Sequence, residues 1–533
     1  MTVYICFFNA SRIVSSLMRP PTASLYSVYF SGYTHSMPDV QKIIEELPSP
    51  PKKDVDLIMK AYDFAQHAHE GQKRFSGEPY FLHVFSTAKI LADLGMSPTV
   101  IAAGFLHDTI EDSGVDPKTI EKEFGKEILF LVQGVTKLGK VKYTGVERNV
   151  ESLRKFFVSM AEDLRVIIIK LADRMHNVET LKYVRPDKQR RIAMETLEIY
   201  APLANRFSMG KLRGRLEDAA FPFAYPKEYE RVVALLKEKT SANEKYLREV
   251  EKTVTEKMKE NNIKYLAIDM RVKHLYSLYT KLLRYDMDIG NIHDMIALRI
   301  IVNTVEECYQ VLGLIHSIWK PLPGKIKDYI ALPKQNGYRS LHTTIFTGTG
   351  GIVEIQIRTE QMHREAEYGL AAHFSYKEQQ QGRRKKAKHE PDTDIEKQYA
   401  WVEELKHWQA QNHETGTFLE SLKMDFFKNR VFAFTPHGDV IDLPEGASPI
   451  DFAYGVHSDI GNHAFGAKVN SKFVALDTKL KNGDIVHIMT KKESHPTDKW
   501  LEFVKTTFAK KHIRSYLQEH GFQKRSIPKK LKH

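Results

Sequence analysis

The sequence predicts a multidomain chain in which an all-α part comes first, a mixed α/β part second and a small β-rich module third. Three observations predict it. Up to about Tyr225, apolar residues recur at three- and four-residue intervals, as in Asp56-Leu57-Ile58-Met59 leading to Tyr62 and Phe64-Ala65, and in Thr87 to Ala92. That spacing gathers them on one face of a helix. The period then drops to two. Val353-Glu354-Ile355-Gln356-Ile357-Arg358 alternates sharply, with Glu354, Gln356 and Arg358 on one face, and Asp294 to Val302 reads as a largely buried strand. Finally, Val431 to Val440 has the strand-turn-strand pattern of a small β-rich module, with Thr435-Pro436-His437-Gly438-Asp439 as its turn.

At 533 residues and 42% hydrophobic content the chain can bury several ordinary cores, so two to four domains are expected and disorder throughout is excluded. Cys6 and Cys308 are the only cysteines, which rules out a disulfide framework and a four-cysteine zinc site and points to a reducing, cytoplasmic setting. Lysine and arginine number 79 against 67 acidic residues, a formal charge of +12 that suits phosphate-rich ligands or RNA without separating the two. No run reaches the roughly 18 apolar residues of a membrane span, so no membrane partner is expected. Residues 1–42 read as an N-terminal tail, with no acidic residue before Asp39 and with Arg12, Arg19 and several serines. That composition overlaps with organellar transit peptides. An untargeted tail and a start at Met18 or Met37 stay open.

Helical periodicity is expected to continue over 43–225. Val166-Ile167-Ile168-Ile169 is ambiguous, because its β-branched residues suit a strand while its helical surroundings favour a buried helix. Val233 to Met258, charged on its outer face, reads as a connecting helix into the second domain.

Within the helical part, His83, His107, Asp108 and Asp173 make two imidazoles and two carboxylates available to one metal ion. Burying ionisable groups beside the apolar run Ala102 to Leu106 is costly unless they are paired or bind metal. Nitrogen and oxygen donors without thiolate favour a harder divalent ion over structural zinc, with manganese first. The His-Asp dipeptide taken alone is more often a satisfied core histidine. The ordered segments His69-Glu70-Gly71-Gln72-Lys73-Arg74, Gly77 to His83, His107-Asp108-Thr109-Ile110-Glu111-Asp112 and Leu171-Ala172-Asp173-Arg174-Met175-His176-Asn177 reverse that. Together they resemble the HD-type hydrolase domain of the RelA/SpoT family, which makes and degrades the guanosine alarmone (p)ppGpp. The resemblance implies that His83, His107, Asp108 and Asp173 hold Mn²⁺, that Glu111 and Asp112 handle the attacking water, and that Arg74 and Asn177 contact the nucleotide. Two positions depart from the family pattern. Phe75 stands where a polar or basic residue is usual, and Glu179 stands in place of an arginine, where it either repels a polyanion or faces solvent. His67, His69 and His176 are further candidate ligands, with positions on the surface or supporting the ligands as the default for each.

In the second domain, Trp319 to Tyr329 and Lys334 to His342 collect cations, amides and aromatics. Such a mixture suits a polyphosphate and a base, and on residues alone a solvated basic loop fits equally well. The stretch from Arg271-Val272-Lys273-His274-Leu275-Tyr276-Ser277 through Ala371-Ala372-His373-Phe374-Ser375-Tyr376-Lys377 is similar to the nucleotidyltransferase-like alarmone synthetase domain of the same family. That likeness implies transfer of the β,γ-pyrophosphate of ATP to the 3′-hydroxyl of GDP or GTP. Lys273, Ser277 and Lys281 recur at four-residue spacing on one helix face and would track the triphosphate with Arg271. Asp294 and Glu354 would hold Mg²⁺, with Glu354 taking the hydroxyl proton. Tyr338 would stack on guanine, while Lys327, Lys334, Asn336 and His342 would contact the acceptor nucleotide. Lys325-Ile326-Lys327-Asp328 resembles the basic acceptor-loop motif of bifunctional members, which favours GDP.

Residues 378–428 read as a basic linker followed by an amphipathic helix through Ile395, Tyr399, Val402, Leu405 and Trp408. Residues 429–491, through Asp451-Phe452-Ala453-Tyr454 and Asn482-Gly483-Asp484-Ile485-Val486, resemble the TGS domain, which in this family senses uncharged tRNA. The usual Gly-His-Arg segment is Gly461-Asn462-His463 here, which puts that contact in question. Residues 492–533, rich in lysine and arginine, read most simply as a solvated tail, and no ACT-like domain is expected after Ile485. The domains expected are therefore an HD-type hydrolase over 43–225, a synthetase over 226–377 and a TGS domain over 429–491. The partners are ATP, GDP or GTP and (p)ppGpp, with uncharged tRNA and the ribosome as further candidates. Two rival readings are a hydrolase whose synthetase has decayed into a regulatory domain and a non-enzymatic tRNA or ribosome sensor. The intact candidate ligands in both domains argue against each.

Overall fold

The computed structural model describes residues 38–139, 163–288, 292, 295–334, 336–347, 351–372, 374, 430–481 and 483–520. The expectations for the tail to Met37, for Asp294 and for 378–428 lie outside the described residues. The chain divides into two compact units, Met1–Gln411 and Asn412–His533.

After a single helical turn at Gln41–Ile44, the first unit runs through helices α1 (Lys52–Ala68), α2 (Phe81–Asp93), α3 (Pro98–Leu106), α4 (Thr109–Asp112), α5 (Pro117–Gly139, kinked at Gly125) and α6 (Leu164–Glu179). Helix α3 is apolar all round, starts on a proline whose missing N–H is no loss in a first turn, and buries every residue from Val100 to Leu106. It is the centre of this part, packed by α1, α2 and α5. The β-branched run 166–169 is helical, because Asp163 caps α6 by accepting the Arg165 N–H and the run is buried against neighbouring helices. Helices α7 (Pro186–Glu195), α8 (Ala201–Arg206) and α9 (Gly210–Ala224) follow. The long α10 (Pro226–Glu260) then buries Val232, Leu236, Leu247, Val250, Val254 and Met258 against the α/β part.

That part holds β1 (Ala267–Val272), α11 (Leu275–Leu282), β2 (Ile296–Val302), α12 (Val305–Ile318), β3 (Lys327–Asp328), β4 (Leu341–Phe346), β5 (Ile352–Thr359) and α13 (Glu360–Tyr368). The strands form one mixed sheet in the order β1-β2-β5-β4-β3, with β2 and β5 parallel and the other pairs antiparallel. A capping box between Thr304 and Glu307 starts α12, whose Val311 and Ile315 join Val353, Ile355 and Ile357 of β5 in the core. The strand period then places Glu354, Gln356 and Arg358 on the opposite face. Helix α9 contacts both α11 and α13, so the helical and α/β parts share one unit. Gly369, at φ 50°, lies so close to Phe207 that an added Cβ would sit 2.1 Å from its carbonyl oxygen.

One expectation about this region is corrected. Lys273 is not on a helix with Ser277 and Lys281, since α11 begins at Leu275 and the Lys273 N–H is committed to the Met295 carbonyl oxygen at 2.8 Å.

The second unit pairs β6 (Arg430–Phe434) with β7 (Val440–Pro444) and builds a three-stranded antiparallel sheet from β8 (Ala464–Val469), β9 (Lys472–Val474) and β10 (Val486–Thr490). Helices α14 (Pro449–Val456) and α15 (Ser458–Asn462) lie between β7 and β8. The expected solvated tail over 492–533 is corrected as far as residue 520. Helices α16 (Trp500–Phe503) and α17 (Thr507–Glu519) bury Trp500, Val504, Ala509, Ile513 and Leu517 against Ile450, Ala453 and Tyr454. Fully buried Asp451 fastens them, accepting from the Lys505 and Thr506 N–H groups at 2.8 and 2.7 Å and from the Ser448 N–H at 2.8 Å. The basic residues of α17 were legible, whereas its apolar stripe is meaningful only with a surface to cover. Among the described residues no helix is long and apolar enough to cross a membrane.

Candidate active sites

The first site is assembled from α2, α3 and α6. His83 projects from α2, His107 and Asp108 follow the end of α3, and Asp173 lies on α6. His83 Nε2 is 3.3 Å from Asp108 Oδ2 and 3.2 Å from Asp173 Oδ1, and His107 Nε2 is 3.1 and 3.9 Å from the same two oxygens. Side-chain donors of His83, His107 and Asp108 all fall within 4.8 Å of one another, a spacing that one cation can span. His107 Nδ1 meets the Gly104 carbonyl at 2.8 Å, which leaves Nε2 as the free ring nitrogen. That buried nitrogen makes no well-directed hydrogen bond and has the Asp108 and Asp173 carboxylate oxygens beside it, so the donor set fits a divalent cation. Burial opposes a charged His107, but Asp108 and then Asp173 outweigh it and push the imidazole up to about 9. Burial likewise opposes a charged Asp173, yet Lys170, whose Nζ donates to Oδ2 at 2.7 Å, and the neighbouring histidines hold that carboxyl far below its ordinary range.

Around this centre, Asn177 Nδ2 donates to Asp173 Oδ1 at 2.5 Å, and Arg74 donates to Asn177 Oδ1 at 2.5 Å and to His176 Nδ1 at 3.0 Å. Glu111 is half-buried and Asp112 exposed on α4. Tyr80 joins two of the predicted roles, its hydroxyl lying 2.9 Å from Asp108 Oδ2 and 2.6 Å from Asp112 Oδ2. Sequence reasoning missed Tyr80 and Lys170. Lys170 carried a usable signal, three residues before Asp173 on one helix, whereas Tyr80 reaches Asp108 and Asp112 only in the fold. The two departures resolve differently. Glu179 neither faces solvent nor threatens a polyanion, because Arg215 Nη2 donates to it at 2.6 Å from α9. Phe75 is 78% exposed.

The second site lies on the polar face of the mixed sheet. Glu354 Oε1 accepts from Gln356 Nε2 at 2.8 Å and is 3.4 Å from His342 Nδ1, while Arg271 Nη1 reaches Gln356 Oε1 at 3.2 Å. The Tyr338 hydroxyl bonds His342 Nε2 at 2.9 Å, and Lys334 Nζ sits 4.6 Å from the Tyr329 ring centre and 4.8 Å from that of Tyr338. Lys334 has an exposed side chain, but its ammonium is pressed against the two rings. Desolvation first, then the charges of Lys327, Arg213 and Arg271, bring it down to about 8. Burial lowers His342 below its ordinary imidazole value, with Glu354 opposing. Lys327 is exposed on β3, opposite His342 in register.

Two of the predicted nucleotide contacts are engaged by the helical part. Ser277 Oγ donates to Glu217 Oε2 at 3.0 Å. Asn336 Nδ2 donates to the Asn205 carbonyl oxygen at 3.2 Å, and the Asn336 carbonyl oxygen accepts from Ser208 Oγ. Lys281 lies half-buried near the end of α11. Behind Glu354, buried Arg358 pairs with Glu367 at 3.0 Å, and Arg299 bridges Glu367 at 3.0 Å and Asp269 at 2.5 Å. Glu217 and Glu367 carried no signal in sequence, since each acts on a strand or helix distant in the chain.

A helical His/Asp centre able to hold a cation, joined to a mixed-sheet domain whose polar face gathers an acid, amides and cations, defines a multidomain protein of the HD-plus-synthetase class. Family models match in that order: the HD domain over residues 61–210, the region found in RelA/SpoT proteins over 270–381, and the TGS domain over 431–490. The chain is 43% identical over 484 residues to the guanosine-3′,5′-bis(diphosphate) 3′-pyrophosphohydrolase of Aquifex aeolicus, an alignment covering 90% of this chain and 67% of that one. It is 45% identical over 478 residues to a GTP pyrophosphokinase of Myxococcus xanthus, covering 89% of this chain and 62% of that one. A probable guanosine-3′,5′-bis(diphosphate) 3′-pyrophosphohydrolase of Synechocystis is 44% identical over 463 residues, with 87% and 60% covered. The chain belongs to the RelA/SpoT family, and it spans about two thirds of the length of the Aquifex relative and less than two thirds of the Myxococcus and Synechocystis ones.

Proposed function

We propose that the chain both makes and degrades (p)ppGpp, one reaction at each site. The observation that carries this reading is two separate polar sites in one chain, one built on paired histidines and carboxylates and the other on a sheet face of mixed acid, amide and cation. Relatives at similar identity carry names for one reaction or the other.

In the hydrolase, His83, His107, Asp108 and Asp173 would hold Mn²⁺. The cation, when bound, supplies the charge that acidifies water and draws off negative charge from a phosphoryl group. Asp112 and Glu111 orient the attacking water and take its proton. Tyr80 sets the aim of Asp112 by its hydroxyl contact. Arg74 and Asn177 contact the nucleotide, and water cleaves the bond between the ribose 3′-oxygen and its pyrophosphate.

In the synthetase, Glu354 takes the proton of the acceptor 3′-hydroxyl as that oxygen attacks the β-phosphorus of ATP and AMP leaves. Glu354 with Asp294 would hold Mg²⁺. Gln356, braced by Arg271, keeps the Glu354 carboxylate oriented. Arg271, Lys273, Ser277 and Lys281 take the donor phosphates. Tyr338 stacks on guanine, with Lys327, Lys334, Asn336 and His342 on the acceptor nucleotide, GDP ahead of GTP. The TGS domain is consistent with uncharged tRNA and the ribosome as partners, in a cytoplasmic setting.

Incubation with ATP plus GDP under Mg²⁺, and separately with ppGpp under Mn²⁺, tests the reading. Products ppGpp and AMP are expected in the first, and GDP and pyrophosphate in the second. Hydrolysis without transfer would leave a hydrolase alone, and neither activity would leave a binding protein.

A further inference from the structure

We propose that His176 is a positioning residue for the hydrolase, fixing which nitrogen of His83 faces the cation and tying that choice to the nucleotide-contacting Arg74. The inference rests on the reading of His83 as a metal ligand. It follows from counting protons around one buried atom. A guanidinium has only N–H donors, so where Arg74 Nη1 lies 3.0 Å from His176 Nδ1, the His176 nitrogen must offer a lone pair. The same nitrogen lies 2.8 Å from His83 Nδ1. A lone pair on one side requires the proton on the other, so His83 carries its hydrogen on Nδ1. Its Nε2 lone pair then faces Asp108 Oδ2 and Asp173 Oδ1, at 3.3 and 3.2 Å.

His176 is 5% exposed and His83 1%, so bulk water does not supply a substitute acceptor. Arg74 is held to the same spot by Asn177 Oδ1 at 2.5 Å and Thr180 Oγ1 at 3.2 Å. The single lone pair of one nitrogen is thus shared between a nucleotide-side cation and a metal-side imidazole. Losing it leaves His83 free to rotate or change tautomer and leaves Arg74 with one fewer acceptor.

The test uses the full chain and Mn²⁺ alone, with bound metal followed by the paramagnetic resonance of free Mn²⁺, for wild type, His83→Ala, His176→Leu, His176→Gln and His176→Asn. Asparagine places an oxygen near the position of the imidazole Nδ1, whereas glutamine places its polar end near Nε2. His176→Leu and His176→Gln are expected to weaken Mn²⁺ binding roughly 10–100-fold, the usual scale for removing an outer partner of a ligating histidine. His176→Asn is expected to stay within about threefold of wild type, a rescue that mere packing would not produce. Synthesis of ppGpp from ATP and GDP serves as the folding control, and if His176→Leu loses it, the comparison of His176→Gln with His176→Asn decides. If His83→Ala binds Mn²⁺ like wild type, the metal-site reading itself is wrong. If His83→Ala loses affinity while His176→Leu and His176→Gln keep it, or if His176→Asn falls as far as they do, the positioning role is overturned and the metal site stands.

Discussion

Asp173 has a role toward the histidines and a pairing with Lys170 whose losses can be separated by experiment. Its Oδ1 faces the histidine pair and its Oδ2 accepts from Lys170 at 2.7 Å, with the side chains of Lys170 and Asp173 only 14% and 6% exposed. Asp173→Ala removes a candidate cation ligand and strands the lysine at once. At an effective dielectric of about 20 the gross attraction of such a pair is about 6 kcal/mol. Breaking a buried pair from one side costs roughly 3–5 kcal/mol, and the remaining exposure of Lys170 places this one near about 3. In a domain of this size that lowers the first thermal transition by roughly 6 °C or more. Hydrolysis loses a ligand's share of transition-state charge stabilisation, about 4 kcal/mol, or about a thousandfold in rate. The double variant Lys170→Met/Asp173→Ala removes the stranded charge, so thermal stability should return while hydrolysis does not. Scanning fluorimetry and pyrophosphate release from ppGpp under Mn²⁺ read the two effects. Undiminished hydrolysis in Asp173→Ala, or recovery of hydrolysis together with stability in the double variant, would refute the ligand assignment.

Four further outcomes are expected. Glu354→Gln keeps size but removes the charge needed for proton acceptance, so transfer from ATP to GDP should collapse while ppGpp hydrolysis continues; wild-type transfer in this variant would remove Glu354 from the chemistry. If Lys334 binds the acceptor phosphates as proposed, its ammonium, brought down to about 8, loses its proton as pH rises through that value, so the KM for GDP should climb about tenfold between pH 7 and 9 and flatten in Lys334→Arg, a pH-independent KM counting against the assignment. Asp451→Ala leaves the Ser448, Lys505 and Thr506 N–H groups without their carboxylate, at roughly 1–3 kcal/mol for each group left buried and unpaired. The second unit should melt earlier with both activities measurable, and unchanged melting would contradict the packing of α17. Uncharged tRNA, titrated against the chain with and without residues 430–533, should bind only the longer form and with an affinity falling steeply with salt. No binding at low salt would eliminate the sensor role, and Asn462, whose Oδ1 accepts from the Tyr454 hydroxyl at 2.9 Å, is where that outcome would originate.

Local pattern determined much of this protein. The change from a three-to-four-residue period to a two-residue one separates the helical part from the sheet, because side chains repeat at 3.6 residues on a helix and at two on a strand. The same rule put Glu354, Gln356 and Arg358 on one face, as they stand. His83, His107, Asp108 and Asp173 were recognisable because ionisable donors in apolar sequence need compensation and because the ordered segments around them resemble the family's hydrolase domain, and the fold brings all four together. What sequence could not decide were contacts set by which surfaces meet. Lys273 left the expected helix face because Met295, just before the adjoining strand, claims its N–H. Glu179 found Arg215 on another helix, and the basic C-terminal stretch proved to have an apolar side only because Ile450, Ala453 and Tyr454 offer a surface for it. Helix and strand periods are fixed by backbone geometry over a few residues, whereas each of these partners lies many residues away and is chosen only when the chain packs.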